Sequence, residues 1–405
     1  MLSFDFKNSG VKANQMSVAA KRLSHRIAEL KKAAVSGKLD LPEGFVNLAG
    51  DTAGIKAVKK MAARKISKKL GAVAVIGIGG SSLGAEAVAS AIGSARPLIF
   101  FDNIDPDSVA EKINILKRIY ADGKHALVVP VSKSGTTIET SANFEAVLNW
   151  LKRNDNKWRE RIVAVTDSGS PLHKKCLREK FDVLSSPSHI SGRFSFLSPV
   201  GLFPLGAAGM DIGAFTGGAA AMGNICLSES ISVNPALRGA ITLWSSCRSG
   251  KNICNNFVFA DKLEKLAVFV RNLAAESLSK GGSGFTSMVS VGSTDLHSMG
   301  QLYFGGPKDK FTVFLDSGPV ANVVSGVDLG RAIKAIELAV KKSYGRSRLP
   351  YYSVDLGRVT PRSVGELMAM KMFETVYLGY LMGVNVFDQP AVEFYKKVAR
   401  RMLGK

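Results

Sequence analysis

Short apolar runs alternating with helix-period segments constrain this chain more than any other feature. Val73–Ile78, Leu98–Phe101, Leu127–Val131 and Ile162–Val165 read as buried strands, and the patterns near Gly84–Ile92, Ser108–Tyr120 and Thr137–Leu151 read as the helices between them. A further short strand is expected at Val183–Leu184. This is the rhythm of a parallel sheet covered on both faces, because parallel neighbours need a crossover and the crossover helix buries its apolar side on the sheet. The rhythm lapses from Phe194 to Asn234 into small residues and then resumes. The second set has strands at Phe257–Phe259, Met288–Val291, Phe311–Leu315 and Tyr351–Val354, with helices near Leu237–Ser249, Leu263–Leu278, Ala332–Lys342 and Val364–Met382. The expected fold class is α/β, with two doubly wound domains, each a parallel sheet flanked by helices. The expected boundaries are a helical N-terminal extension over 1–50, a first domain over 51–195, a Gly/Ala-rich crossing over 196–234, a second domain over 235–385 and a C-terminal helix over 386–405. Helices are expected at Met16–Val35 and Thr52–Leu70, and the last helix starts around Pro390, which suits a first turn.

The chemistry starts where the Leu127–Val131 strand stops. Ser132, Lys133, Ser134, Thr136 and Thr137 surround a single glycine, Gly135, and the spacing Phe144, Val147, Leu148, Leu151 then announces a helix. The first turn of a helix has backbone N–H groups without intrahelical partners and a partial positive charge, so a phosphate placed there is held by both. Hydroxyls add donors, and Gly135 permits a close approach or a positive φ. Lys133 adds a charge if it points inward. The bland alternative is that these residues merely cap a helix, as Ser and Thr do in most proteins. So many polar residues around one glycine favour phosphate binding.

Lys and Arg number 54 against 33 Asp and Glu, a formal charge of +21 that suits an anionic metabolite, a membrane surface or nucleic acid. The basic residues are spread as a solvated face would spread them, for example over Lys56–Gly71, and no nucleic-acid-binding motif accompanies them. Small anions are therefore the expected partners, with neither nucleic acid nor membrane. Phe194–Met210 is broken by prolines and glycines and Met368–Val384 by Lys371 and Glu374, so neither reads as a span. Cys176, Cys226, Cys247 and Cys254 form no CxxC or zinc spacing, and MLSFDFKNSG has no apolar signal core. A reduced, cytoplasmic protein is expected.

The first strand runs into GIGGSSLG, Gly77–Gly84, which looks like a dinucleotide fingerprint with Asp102 as its ribose partner, but Ser82 stands where that pattern asks for Gly or Ala. Gly80 and Ser81 serve a sugar phosphate equally well. Arg193 lies among apolar residues, where a guanidinium needs either a structural carboxylate or a functional anion. Glu276 comes near the end of a helix that Gly281 and Gly282 should terminate, where the negative end of a helix dipole raises a carboxylate's proton affinity. Taken alone, it reads as an exposed helix glutamate. His297 follows Thr294 and Asp295, either of which could cap the helix it opens, and alone it reads as a core or capping histidine. Lys396 alone reads as solvated.

GIGGSSLG, SKSGTTIET, AVTDSGS (Ala164–Ser170), SGRFSFLSPVGLFPL (Ser191–Leu205), AAESLSKGGSG (Ala274–Gly284), TDLHSMGQ (Thr294–Gln301) and FDQPAVEFYKK (Phe387–Lys397) occur in this order. Together they resemble the glucose-6-phosphate isomerase family, in a compact microbial form built of two sugar-isomerase (SIS) domains. The resemblance covers most of the chain from Val73 to Lys397. It implies a glycolytic and gluconeogenic reaction, the reversible isomerisation of glucose 6-phosphate to fructose 6-phosphate through a cis-enediolate. It gives Glu276 the role of base, Arg193 that of stabilising the enediolate, and His297 and Lys396 that of opening the ring. It gives substrate contacts to Gly80, Ser81, Ser132, Lys133, Ser134, Thr136, Thr137 and Gln389. It also implies a homodimer in which His297 reaches the neighbouring subunit's active site. A positioned acid–base pair and fixed charge suffice for this chemistry, so no metal or organic cofactor is expected. Ser279, where the family commonly has glycine, puts the local turn after Glu276 in question. The alternatives are a bifunctional phosphoglucose/phosphomannose isomerase, a non-catalytic sugar-phosphate sensor, which would share the SKSGTT loop but have no use for Glu276, His297 and Lys396, and a nicotinamide oxidoreductase.

Overall fold

A computed structural model describes residues 2–318 and 323–404. The chain forms two compact units. One, the glutamate-bearing unit, comprises Met1–Lys32, Ser90–Ile92 and Ala214–Ala391; the other, the loop-bearing unit, comprises Ala33–Ala89, Gly93–Gly213 and Val392–Lys405. In chain order the strands are β1 (Ser3–Asp5), β2 (Leu70–Ile76), β3 (Leu98–Phe101), β4 (His125–Pro130), β5 (Val163–Thr166), β6 (Asp182–Ser185), β7 (Ile253–Val258), β8 (Thr286–Val291), β9 (Lys310–Asp316), β10 (Val323–Val324), β11 (Val327–Asp328) and β12 (Tyr351–Asp355).

In the loop-bearing unit β3, β2 and β4 pair in that order and in parallel. Parallel bridges Val128↔Ile162 and Val131↔Val165 carry the arrangement on to β5, which pairs with β6. The resulting order, β3-β2-β4-β5-β6, is the flavodoxin-like form of a doubly wound sheet, and its topological switch lies between β2 and β4. Ligands of such sheets bind beyond the carboxyl ends of the strands at that switch. The topology therefore nominates the loops after Ile76 and after Pro130. Ala72, Ala74, Ile76, Ala126 and Val128 pack with Phe144, Val147, Leu148 and Leu151 of the helix Ile138–Asn154. That spacing puts the helical residues on one face, and each fully buried large apolar side chain contributes about 1.5–3 kcal/mol relative to exposure.

In the glutamate-bearing unit the sheet order is β1-β12-β9-β7-β8, parallel except for β1, which runs antiparallel to β12. The sequence reading has no strand here, because three residues, Ser-Phe-Asp, are too short for a period to show. Its position is fixed by pairing and by the Leu2 amide, which donates to the buried Glu366 carboxylate at 3.1 Å. The helix Thr52–Lys65 also ends earlier than its composition suggests, since Leu70 already belongs to β2.

Helices Pro199–Ala207 and Ile212–Cys226 run through the small-residue stretch. Glycine in a helix costs about 1 kcal/mol against alanine, so composition argues against helix there. Close packing outweighs that preference. A Cβ on Gly218 would strike the Arg362 carbonyl, and one on Gly365 would strike that of Phe215, so the Ile212–Cys226 helix and the helix Pro361–Met382 meet backbone to backbone.

Candidate active site

In the loop-bearing unit the chain leaves β4 at Pro130, and Val131 and Ser132 are still held like sheet residues: the Val131 amide donates to Ile76 at 2.8 Å and that of Ser132 to Val165 at 3.1 Å. The Ser132 hydroxyl, buried with its residue, accepts from the Gly135 amide at 3.1 Å and pairs with the Thr137 hydroxyl at 3.2 Å. Ser134 and Thr136 pair their hydroxyls at 2.9 Å. Gly135 has φ +66°, and a Cβ there would lie 2.6 Å from the Leu172 amide nitrogen, so only glycine fits. Thr137 occupies the N-cap of Ile138–Asn154, yet its side chain makes no capping bond. Capping is thus not what these hydroxyls do, and the first-turn N–H groups have no side-chain cap from Thr137.

The loop is braced from below by residues of AVTDSGS, to which their sequence alone assigns no role. The Thr166 hydroxyl, fully buried, donates to the Ser132 carbonyl at 2.6 Å and pairs with the Ser170 hydroxyl at 2.7 Å. The Asp167 amide donates to the Lys133 carbonyl at 3.2 Å. Lys133 donates through Nζ to the Ile190 carbonyl at 2.9 Å. Burial holds its ammonium below the ordinary lysine pKa, against the opposing pull of Asp167.

Ile190 leads into Gly192–Arg193. A Cβ on Gly80 would lie 2.5 Å from the Arg193 amide nitrogen and closer still to the Gly192 carbonyl carbon, so the loop after β2 rests directly on this turn. The structure therefore brings Gly80 and Ser81, the Ser132–Thr137 loop and Arg193 together. Arg193 is only 4% exposed, with its guanidinium carbon 5.7 Å from the Phe194 ring centroid. The Ser191 hydroxyl, two residues earlier, is buried with no hydrogen-bond partner among the described residues. Asp102, the candidate ribose partner, is engaged by Lys112 at 3.1 Å. A cavity of about 320 Å³ adjoins the loop, lined in part by Ser132, Gly135 and Thr140. A larger one of about 630 Å³ is bordered by Lys38, Asp51, Ser185, Ser186 and His189 and includes none of Ser132–Thr137.

Lys396, also in this unit, lies on the terminal helix Glu393–Met402, after a 3₁₀ turn that Pro390 opens, and pairs with Glu393 at 3.0 Å. That pairing holds the Glu393 carboxyl below its usual pKa.

In the glutamate-bearing unit Glu276 is exposed, near the C-terminus of the helix Glu264–Leu278. It accepts a hydrogen bond from the Asn272 side chain, one turn earlier, at 3.3 Å. Asn272 escapes a sequence reading because nothing marks it out on an ordinary amphipathic helix. Ser279 ends that helix with φ −85° and ψ 84°, and Gly281, Gly282 and Gly284 supply positive φ beyond it. The turn is thus made by the glycines, and Ser279 is accommodated. His297 is exposed on the short helix Thr294–Ser298. Neither Thr294 nor Asp295 caps that helix, contrary to expectation: the N-cap is Ser293. Asp295 reaches back instead, accepting from the Val291 amide at 2.7 Å and the Ser298 hydroxyl at 3.2 Å, so it ties the His297 helix to the end of β8. Gln389 is half-buried beside the Asn385–Asp388 turn.

Residues 55–310 match the family model described as phosphoglucose isomerase. The chain belongs to the phosphoglucose isomerase family. A "probable glucose-6-phosphate isomerase" of Methanococcus maripaludis is 32% identical over 98% of this chain and 91% of its own length. A "glucose-6-phosphate isomerase" of Rubrobacter xylanophilus is 32% identical over 100% and 98%. Among solved structures, a hypothetical protein of Thermus thermophilus superposes with a TM-score of 0.86 at 28% identity, covering 100% of both chains. A glucose-6-phosphate isomerase of Chlamydia trachomatis superposes at 0.83 and 23% identity, over 100% of this chain and 88% of that one, and so shares the fold. The dinucleotide and sensor readings are thereby displaced. Among the described residues no helix is long and apolar enough to cross a membrane.

Proposed function

We infer that this chain interconverts glucose 6-phosphate and fructose 6-phosphate. The reaction needs a weakly acidic hydrogen removed next to a carbonyl and returned to the neighbouring carbon, which a single carboxylate can do. The observation that carries the reading is the locked Ser132–Thr137 loop, whose hydroxyls pair with one another and whose backbone is held from beneath by Thr166 at the Ser132 carbonyl, while the helix behind it goes without a Thr137 cap. Such a cradle takes the substrate's phosphate, and binding energy from that remote group orients the reacting carbons.

In this reading Gly80, Ser81, Ser132, Lys133, Ser134, Thr136 and Thr137 hold the sugar phosphate, and Gln389 lines its pocket. His297 and Lys396 assist ring opening, Glu276 carries the proton between C2 and C1, and Arg193 stabilises the cis-enediolate charge. The exposure of Glu276, its hydrogen bond from Asn272 and the burial of Arg193 support these roles. A coupled assay with fructose 6-phosphate, run with and without EDTA, tests the activity; unchanged turnover with chelator is the expected result. Mannose 6-phosphate in the same assay separates this reading from the bifunctional one, and its turnover at a comparable rate would replace it.

The reading includes a homodimer in which His297 serves the neighbouring subunit, supported by its exposed position on a short helix. Mixing inactive Glu276→Gln and His297→Gln proteins should restore part of the activity through mixed dimers, and its absence after verified exchange would remove this arrangement. The cytoplasm is the compartment proposed for this activity, in keeping with free thiols at Cys176, Cys226, Cys247 and Cys254.

A further inference from the structure

Two of the motifs, AAESLSKGGSG and FDQPAVEFYKK, are more than a hundred residues apart in sequence, and one side chain joins them. The Lys280 ammonium donates to the Ser277 carbonyl at 2.8 Å, at the end of the helix that carries Glu276. It also donates to the Asn385 carbonyl and pairs with the Asp388 carboxylate at 3.1 Å. An ammonium has three N–H donors, and the Ser277 carbonyl, the Asn385 carbonyl and the Asp388 carboxylate are acceptors within its reach. The Lys280 side chain is 14% exposed, so these are not the loose contacts of a surface lysine. Around the turn, the Asn385 side chain donates to Asp388 at 3.0 Å and accepts from the Phe387 amide at 3.0 Å, so residues 385–388 form a tight knot immediately before Gln389. The C-terminal carbonyls of a helix have no intrahelical donors and concentrate negative potential, and a cation is the group that satisfies both deficits.

We infer that Lys280 is a positioning residue of this isomerase, fixing the end of the Glu276 helix and the Gln389 turn in one register. The inference rests on the roles proposed for Glu276 and Gln389. Lys280 itself touches neither the reacting carbons nor the phosphate; it acts through the two groups it holds. Removing its ammonium frees both ends at once, and a displacement of about 1 Å in a positioned group can cost on the order of 100-fold in rate.

The test is a double-variant cycle on kcat/KM for fructose 6-phosphate, with calorimetric binding of an open-chain six-carbon phosphosugar acid alongside. Lys280→Met should lower kcat/KM by roughly 10- to 100-fold, and Lys280→Arg, which keeps the charge, should recover most of it. Because Lys280 acts through Gln389, adding Gln389→Ala to Lys280→Met should cost no more than about threefold further, although Gln389→Ala costs more than that in the native background. Asp388→Asn, a change at a half-exposed partner, gives the same cycle in milder form if Lys280→Met fails to fold. Strictly additive losses, or no recovery with arginine, overturn the positioning role. Glu276→Gln runs in parallel: if it is inactive while the cycle is additive, the isomerase reading stands and only this inference falls. If Glu276→Gln is near normal, the base assignment falls and Lys280 loses the group it was inferred to position.

Discussion

The candidate anion loop of one unit and the candidate acid–base end of the other are built on opposite plans. Ser132–Thr137 is locked from within: hydroxyl on hydroxyl, Thr166 on the Ser132 carbonyl, glycine backbone on the Leu172 amide. Glu276 and His297 are exposed side chains on helices; Asn272 donates to the Glu276 carboxylate, and Asp295 ties the His297 helix to the end of β8. A group that must grip a fixed charge benefits from rigidity, because every donor is then already aimed before the ligand arrives. On the proposed reading the Glu276 carboxylate must receive and return a proton, and its exposure leaves it open to meet a substrate. On the proposed reading, the contrast puts binding in backbone and short hydroxyl side chains, and chemistry in a few long ones.

Four measurements sharpen or break that contrast. Glu276→Gln should lower kcat by on the order of 10³-fold while a phosphosugar acid binds within about threefold of native affinity, since general base catalysis is worth up to about 10⁴. Loss of binding in that variant would mean that the acid–base end also grips. Gly80→Ala places a Cβ against the Gly192–Arg193 backbone, so it should destabilise by about 1–3 kcal/mol and raise KM well above its effect on kcat. Thermal unfolding and steady-state kinetics check both parts.

Thr166→Val removes a donor from the Ser132 carbonyl, at a cost of about 1–3 kcal/mol, and should weaken phosphate competition by roughly tenfold with kcat little changed. A selective fall in kcat would show that the loop takes part in the chemistry.

The smallest effect is in pH. Burial holds Lys133 below the pKa of an ordinary lysine, so its charge is lost as pH rises through that lowered value, and KM should begin to climb at a pH below 10.5. The stability sign is the reverse: the unfolded chain binds this proton more tightly, so the group's contribution to unfolding free energy rises with pH over the same window. Lys133→Arg should abolish the KM climb, because guanidinium does not titrate there. A climb that persists in that variant would acquit Lys133.

Much of the scaffold is legible in the sequence. Leu98–Phe101 emerges as a strand with the boundaries its apolar run suggests, and the helix behind the anion loop was announced by Phe144, Val147, Leu148 and Leu151. The three-residue β1 was not, since its place comes from pairing with β12. Nor were the helices through the glycine-rich stretch, because their stability comes from backbone contacts with distant partners such as Arg362.

The site divides along the same line. Strand, loop and helix follow one another within the span 127–154, so local pattern alone marked out a candidate anion cradle beyond β4, and periodicity alone marked out the strands beneath it. Tertiary structure decided what no window of sequence holds: that Thr166 supports the cradle from the next strand, that Gly80 is the surface on which the Arg193 turn rests, and that Lys280 ties two distant motifs together. The physical reason is range. Helix and strand preferences act over a few residues, whereas the partner of a buried hydroxyl or ammonium is chosen by the packing of the whole unit.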